Sequence, residues 1–292
     1  MIITKLQGGL GNQLFQYAIG RRFAIDRNTD LKIDTDFYDN QVNVTKRDFK
    51  LKAFQINADF AQKADKLTVL GSPLFQPIKR RLWKMGFDIF HWNYIRENSY
   101  GFHSEVLNHS GSAYLDGYWQ CPLYFDSIRH ELLGDLTIKD EFLSEQFKKK
   151  SNEIINKNSV AIHVRRGDYV SNPIVNKQFG VCSVEFYINA IHYFSKKVDN
   201  VDFFVFSDDI SWCKQNIVTK NALVQFVSGL SDYEDLILMS RCNHQIVSNS
   251  TFGWWGAWLN QNPTKIVIAP AVWYLDPTLD TTQLIPLEWI RL

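Results

Sequence analysis

Ser159-Val160-Ala161-Ile162-His163-Val164-Arg165-Arg166-Gly167-Asp168 is an apolar run that ends abruptly in charge. Downstream the same alternation recurs. Helical spacing at Val184 to Phe194, Ile210 to Ile217, Asp232 to Arg241 and Thr251 to Leu259 separates apolar runs at Val201 to Phe206, Leu223 to Val227, His244 to Val247 and Lys265 to Ala269. Strands without a polar face, interleaved with helices, predict a parallel sheet covered on both sides. Ser231 and Glu234 have capping-box spacing and mark a helix start.

Upstream, residues 2–6 form a short apolar stretch leading into Gly8, Gly9 and Gly11. Leu14, Phe15, Tyr17, Ala18 and Phe23 then recur at helical spacing, and Leu31 to Ile33 ends in Asp34. This reads as strand, glycine turn, helix, strand. As a dinucleotide fingerprint it is incomplete, because Leu14 stands where the third glycine should allow close helix–strand packing. The alternative is a close-approach loop whose backbone and whose Asn12 and Gln13 side chains face a reaction centre. From about 40 to 112 no clean periodicity is visible. Residues 144–158 turn strongly polar, which places a seam near 155 and two domains at 1–155 and 156–292.

Three predicted strands of the second domain end in polar clusters: His163 to Tyr169; Ser207, Asp208 and Asp209; and Ser248, Asn249, Ser250 and Thr251 before Phe252. In an open parallel sheet, ligands bind outside the carboxyl ends of the strands, so one ligand is expected to meet all three. Twin arginines after a buried strand call for an anion, and the guanidinium fork suits phosphate oxygens. Small hydroxyl and amide residues at a helix start add backbone N–H groups to that anion site. An acidic pair suits ribose hydroxyls or the N–H edge of guanine. Together they predict a nucleoside diphosphate. Each piece also has a local reading: Arg165 and Asp168 as an internal ion pair, Ser207 with Asp208 as a helix cap, Ser250 or Thr251 as another cap.

Composition narrows the field further. The 292 residues carry 32 Lys and Arg against 31 Asp and Glu, a net charge of +1, which argues against a nucleic-acid partner. Cys121, Cys182, Cys213 and Cys242 lack paired metal or redox spacing and read as free thiols. The N-terminus has no secretion-signal pattern and no apolar run spans a membrane, so a cytoplasmic location is expected. The basic and aromatic stretch Lys79 to Lys84 reads either as a solvated helix face or as a peripheral contact at the inner face of the membrane. Trp254 and Trp258 share a helix face and read as packing. A carbohydrate-binding module would account for the aromatics but has no use for the arginine pair.

Four ordered motifs complete the picture: Gly-Gly-Leu-Gly-Asn-Gln-Leu-Phe-Gln-Tyr-Ala at 8–18, His-Val-Arg-Arg-Gly-Asp-Tyr at 163–169, Phe-Ser-Asp-Asp at 206–209 and Ser-Asn-Ser-Thr-Phe-Gly-Trp-Trp-Gly-Ala-Trp-Leu at 248–259. With these the sequence resembles the bacterial α-1,2-fucosyltransferases of glycosyltransferase family 11. The resemblance implies an α/β, GT-B-like architecture, two Rossmann-like domains with parallel sheets facing across a cleft, the first shaping the acceptor site and the second holding GDP-fucose. It implies inverting transfer to the 2-hydroxyl of a galactose in a cell-surface or lipid-linked glycan, with no metal and no cofactor beyond the donor substrate; another nucleotide-sugar transferase is the alternative. It further implies that Arg165 contacts the β-phosphate, that His163 and Arg166 shape the donor site, and that Asp208 or Asp209 reads guanine or ribose. By the same resemblance Ser250, Thr251 and Phe252 border the nucleotide, and Asn12 lies near the reacting sugar. Gly9, Gly11, Ser207, Ser248 and Asn249 complete the expected donor site. The general base stays open among Asp168, Asp34 and Asp36.

Overall fold

The computed structural model describes residues 1–41, 46–71, 78, 81, 93–219 and 222–292. Apart from Arg81, the stretch Lys79 to Lys84 lies outside the described residues. The chain divides into two compact units, Met1–Thr137 and Ile138–Leu292. The division falls ahead of residue 155, where the polar run had placed it. That run is an amphipathic helix, Glu145–Ile155, which buries Phe147, Ser151 and Ile154 within the second unit. Ser144 caps it by accepting the Phe147 N–H at 3.0 Å, and the Ser144 N–H donates to Glu234 Oε1 at 2.8 Å. By composition alone, the outer face of such a helix and a linker look alike.

In the first unit, β1 (Ile2–Lys5), β2 (Leu31–Asp34), β3 (Asp59–Phe60), β4 (Tyr94–Arg96) and β5 (Ala113–Asp116) form one sheet in the order β3-β2-β1-β5-β4. Every pairing is parallel. The helix α1 (Leu10–Asp26) crosses from β1 to β2 and is buried along most of its length. Close packing of α1 on the sheet is supplied by Gly20 instead of position 14: a Cβ there would lie 2.9 Å from Leu31 Cδ1 and 3.0 Å from Thr4 Cβ. The aperiodic middle of the sequence supplies β3 and β4, strands too short to show alternation.

In the second unit, β6 (Asn158–Val164), β7 (Val201–Ser207), β8 (Leu223–Phe226), β9 (His244–Ile246), β10 (Val267–Ala269) and β11 (Ile290–Arg291) form a parallel sheet in the order β11-β10-β9-β6-β7-β8. This is the doubly wound order of Rossmann-type sheets. β6 and β7 pair in register from Asn158↔Val201 to Val164↔Ser207, so both end at one level. The helix Thr251–Leu259 is apolar all round and correspondingly buried from Gly253 onward. Trp254 and Trp258 stack with ring centroids 6.3 Å apart, and the Trp254 indole N–H donates to Leu284 O at 2.8 Å, so these rings are core. Two glycines let this helix sit deep. A Cβ on Gly253 would lie 2.5 Å from His163 Nδ1, and one on Gly256 would lie 3.0 Å from Met239 Cβ. The capping box is present at Ser231 and Glu234. Both units are α/β with parallel sheets, the GT-B-like class.

Candidate functional site

The second sheet reverses its winding between β6 and β9, the position at whose carboxyl ends open α/β sheets generally bind ligands. The predicted clusters all lie along this edge. Residues 165–168 follow β6, Ser207 ends β7, and residues 247–250 lead from β9 into the helix Thr251–Leu259.

Both arginines are held by carboxylates. Arg165 ion-pairs with Asp168 and, through Nη1, with Asp208 Oδ2 at 2.9 Å. Arg166 Nε lies 3.1 Å from Asp209 Oδ2, and its guanidinium carbon sits 4.0 Å from the centre of the Trp212 ring. Asp208 Oδ1 also accepts the Arg166 N–H at 2.9 Å. Gly167 makes room for this, since a Cβ there would lie 2.5 Å from Asp208 Oδ2. Carboxylates outnumber guanidiniums in the cluster. The cluster is thus internally neutralised, with no guanidinium left without a carboxylate neighbour.

Asp209 is also the N-cap of the helix Ile210–Asn216, accepting the Trp212 N–H at 3.0 Å. That N–H, with Arg166, holds its carboxyl below the usual range. Ser207 Oγ accepts the Asp209 N–H at 2.9 Å. Sequence reading assigned Ser207, Asp208 and Asp209 to a ligand; in the structure all three have local work to do as well. Asp208 and Asp209 are each paired with an arginine, and among the described residues there is no group of three or more His, Cys, Asp or Glu side chains that could hold a metal ion.

His163 lies behind this surface, 5% exposed, with Ser248 Oγ 2.8 Å from its Nδ1 and the Phe252 ring centre 5.5 Å from its own. Burial, reinforced by the Arg165 charge, pushes its pKa down to about 3, so it is neutral and carries no proton into chemistry near pH 7. It is a spacer between β6 and the helix Thr251–Leu259. Asn249 is likewise internal. Its amide donates to Phe179 O at 2.8 Å, Gly180 O at 3.3 Å and Trp273 O at 3.2 Å, and Cys182 Sγ lies 3.5 Å from its Oδ1. The Ser248 and Asn249 side chains, expected at the donor site, are engaged by these internal partners. Ser250 caps the helix, accepting the Phe252 N–H at 3.3 Å, and Thr251 and Phe252 are the half-exposed members. No acidic residue stands in that first turn, which leaves the helix N-terminus favourable to an anion.

One residue escaped the sequence reading. Asp235, in the first turn of the helix Asp232–Arg241 beyond β8, has a buried Oδ1 without a hydrogen-bond partner. Burial, with Asp232 and Glu234 beside it, pushes its pKa up to about 7. The crowding of three carboxylates in one turn was visible in the sequence, but a capping box accounts for acidic residues there without any ligand.

In the first unit, Gly8 is the conformationally demanding glycine, at φ +80°, and a Cβ on it would lie 2.7 Å from Asn12 Nδ2. Gly9 caps α1 at φ −78° with open space where a Cβ would stand, and Gly11 is buried. Asn12 is half-buried and its Oδ1 accepts from Gln120 Nε2 at 3.0 Å. Gln13 does not face any reaction centre: it is fully buried and bridges Gly8 O at 3.1 Å, Asp48 O at 2.8 Å and the Lys50 N–H at 2.9 Å. Asp34 lies between Lys66 Nζ at 2.7 Å and Tyr114 Oη at 2.7 Å. Burial opposes its charge, yet Lys66, Tyr114 and the Asp36 N–H keep its carboxyl below the usual range. Lys66 also holds Asp36 at 2.6 Å. So engaged, Asp34 is a poor base, and Asp168 is the partner of Arg165.

An arginine pair and a helix N-terminus stand at the switch point of a doubly wound sheet in an α/β protein of the GT-B-like class. The whole chain, residues 1–292, matches the sequence profile of glycosyl transferase family 11, and the chain belongs to that family of enzymes. It is 34% identical to an alpha-1,2-colitosyltransferase of Escherichia coli, over 100% of this chain and 99% of that one. It is 30% identical to the O-antigen biosynthesis glycosyltransferase WbnK of Escherichia coli, over 98% and 99%. A galactoside alpha-(1,2)-fucosyltransferase 2 of Hylobates lar is 34% identical over 51% of this chain and 46% of its own. Among solved structures, a mutant of Arabidopsis thaliana FUT1 in complex with GDP superposes with a TM-score of 0.52 at 13% identity, covering 98% of this chain and 74% of that one. The fucosyltransferase NodZ from Bradyrhizobium superposes with a TM-score of 0.51 at 14% identity, covering 87% and 90%.

Proposed function

We propose that this glycosyltransferase moves L-fucose from GDP-fucose to the 2-hydroxyl of a galactose in a cell-surface or lipid-linked glycan, with inversion and without a divalent metal. The observation that carries the reading is the pair Arg165 and Arg166, held at the end of β6 beside the β6/β9 switch point by Asp168, Asp208 and Asp209. As the bond at fucose C1 breaks, negative charge grows on the β-phosphate. Arg165 stabilises it by exchanging a carboxylate for a phosphate oxygen, and the N-terminus of the helix Thr251–Leu259 adds N–H groups to the same anion. Arginines in this role replace the metal that would otherwise neutralise the leaving group. Asp168 and Asp208 keep the Arg165 fork in place before the nucleotide arrives. Thr251 and Phe252 border the nucleotide. The acceptor hydroxyl attacks C1 in line through an oxocarbenium-like transition state, and no side chain described above is placed as an unencumbered base.

The fucosyltransferase and colitosyltransferase names among the relatives support a GDP-linked deoxyhexose donor. Colitose is fucose without its 3-hydroxyl, so the two donors differ in a single polar contact. The purified chain should be incubated with lactose and, in turn, GDP-fucose, GDP-colitose, GDP-mannose and UDP-galactose, with methylation analysis of the product. Transfer from GDP-fucose to the galactose 2-position is expected. Preference for a UDP-sugar would sink the reading, and preference for GDP-colitose would move it to the deoxy donor.

A further inference from the structure

We propose that Trp212 is a positioning residue at the end of β6 and β7: together with Asp209 it fixes the Arg166 guanidinium and leaves the two terminal nitrogens of that fork open to a phosphate-type oxyanion. The inference rests on the reading of this edge as the donor-diphosphate site. It assigns ground-state binding of the diphosphate to Arg166, beside the transition-state role of Arg165.

The two arginines differ in what they leave open. Arg165 has both ends of its fork taken, Nη1 by Asp208 Oδ2 at 2.9 Å and Nη2 by Asp168. Arg166 is engaged along its other edge, through Nε, which donates to Asp209 Oδ2 at 3.1 Å. Its main chain is fixed as well, since the Arg166 N–H donates to Asp208 Oδ1 at 2.9 Å. Among the described residues no hydrogen bond or ion pair engages Arg166 Nη1 or Nη2. A planar fork with an open terminal pair matches two oxygens of a phosphate, and no carboxylate has to be displaced before they arrive.

A long side chain held at one edge by a single carboxylate can still swing about that contact, and Trp212 supplies the second constraint. The guanidinium carbon lies over the indole, 4.0 Å from the ring centre, a distance at which the ring attracts the cation and blocks one of its faces. Trp212 is itself half-buried, packed against the core cluster that contains Val205, Cys213 and Ile217. Its main chain is tied to the same carboxylate: Asp209 gives Oδ2 to Arg166 and Oδ1 to the Trp212 N–H at 3.0 Å. Asp209 is held in turn by its own N–H, which donates to Ser207 Oγ at 2.9 Å. Cation, carboxylate and ring form a closed unit anchored in the core and in the turn after β7. Trp212 stands outside the polar clusters and the four sequence motifs, which is why spacing alone does not single it out.

The test compares the full-length chain with Trp212→Phe, which keeps an aromatic face over the cation, and Trp212→Leu, which does not. In heteronuclear NMR of the nitrogen-labelled, nucleotide-free protein, the Arg166 Nε–H is assigned by its absence in Arg166→Lys. It should be resolved in the wild type and in Trp212→Phe, and lost to exchange with water in Trp212→Leu. By calorimetry, GDP and inorganic pyrophosphate should each bind Trp212→Leu about 10-fold more weakly than the wild type, and Trp212→Phe within about threefold of it. With GDP-fucose and lactose, the donor KM should follow the GDP affinity while kcat stays within about twofold, the reverse of the pattern expected for Arg165→Ala. An Nε–H signal or a GDP affinity unchanged by Trp212→Leu overturns the positioning role. So does a loss that Trp212→Phe fails to rescue, or a fall in kcat accompanied by a lowered melting temperature, which would mark Trp212 as structural. A wild-type chain that binds neither GDP nor pyrophosphate overturns the oxyanion assignment together with the nucleotide reading, whereas the NMR comparison judges Trp212 without any nucleotide present.

Discussion

Arg165 and Asp235 carry opposite kinds of burial. Arg165 is bracketed by Asp168 and Asp208, so its removal leaves two carboxylates facing one another and removes the fork proposed to meet the leaving phosphate. Arg165→Ala is expected to lower kcat by ~10²- to 10³-fold with the far-ultraviolet spectrum preserved, and Arg165→Lys to recover little, because a point charge cannot span two oxygens. Single-turnover kinetics with GDP-fucose checks both. Asp235 has its folded pKa raised from 3.8 to about 7, so between those values the native chain holds a proton that the unfolded chain releases. Its contribution to stability therefore falls as pH rises through that window. Asp235→Asn should flatten that slope in urea titrations.

The helix Thr251–Leu259 is the element that couples packing to the site. Its glycines were readable as letters but not as contacts: Gly253 faces His163 and Gly256 faces Met239, and both neighbours come from elements distant in sequence. Gly253→Ala would push the helix away from β6 or displace the neutral His163. A loss of ~1–3 kcal/mol in urea unfolding is expected, with a weaker GDP affinity because the first turn moves with the helix. The capping box at Ser231 behaves differently, being predictable from spacing alone. Ser231→Ala should cost ~1 kcal/mol by the same measurement. The seam expected near 155 shows the limit of such reading. The polar residues of Glu145–Ile155 are one side of a helix whose other side, Phe147 and Ile154, belongs to the core of the second unit.

At the scale of the whole molecule, a net charge of +1 hides a local arrangement of arginines and carboxylates. Because Asp208 and Asp209 already have arginine partners, turnover should be the same in EDTA as in magnesium or manganese; a strict metal requirement would contradict the arginine-based reading. GDP at one hundred times its Kd should stabilise the chain by ~2.7 kcal/mol through mass action, measurable as a rise in melting temperature. Among the described residues no helix is long and apolar enough to cross a membrane.

Much of this protein is settled by local pattern: parallel strands of near-continuous apolar character, the glycine turn after β1, the polar clusters after β6, β7 and β9, and the cap at Ser231. Each depends on residues within a few positions of one another, where periodicity and turn chemistry act. What only the tertiary structure decided depends on partners far apart in the chain. His163 and Asn249 prove to be internal struts, Gly20 supplies the close approach that Leu14 cannot, and Glu97 clamps a turn more than twenty residues away. Asp235 is left unpaired by packing around it. Burial and charge pairing are properties of the assembled neighbourhood, and they separate the residues that can meet a ligand from those that hold the others in place.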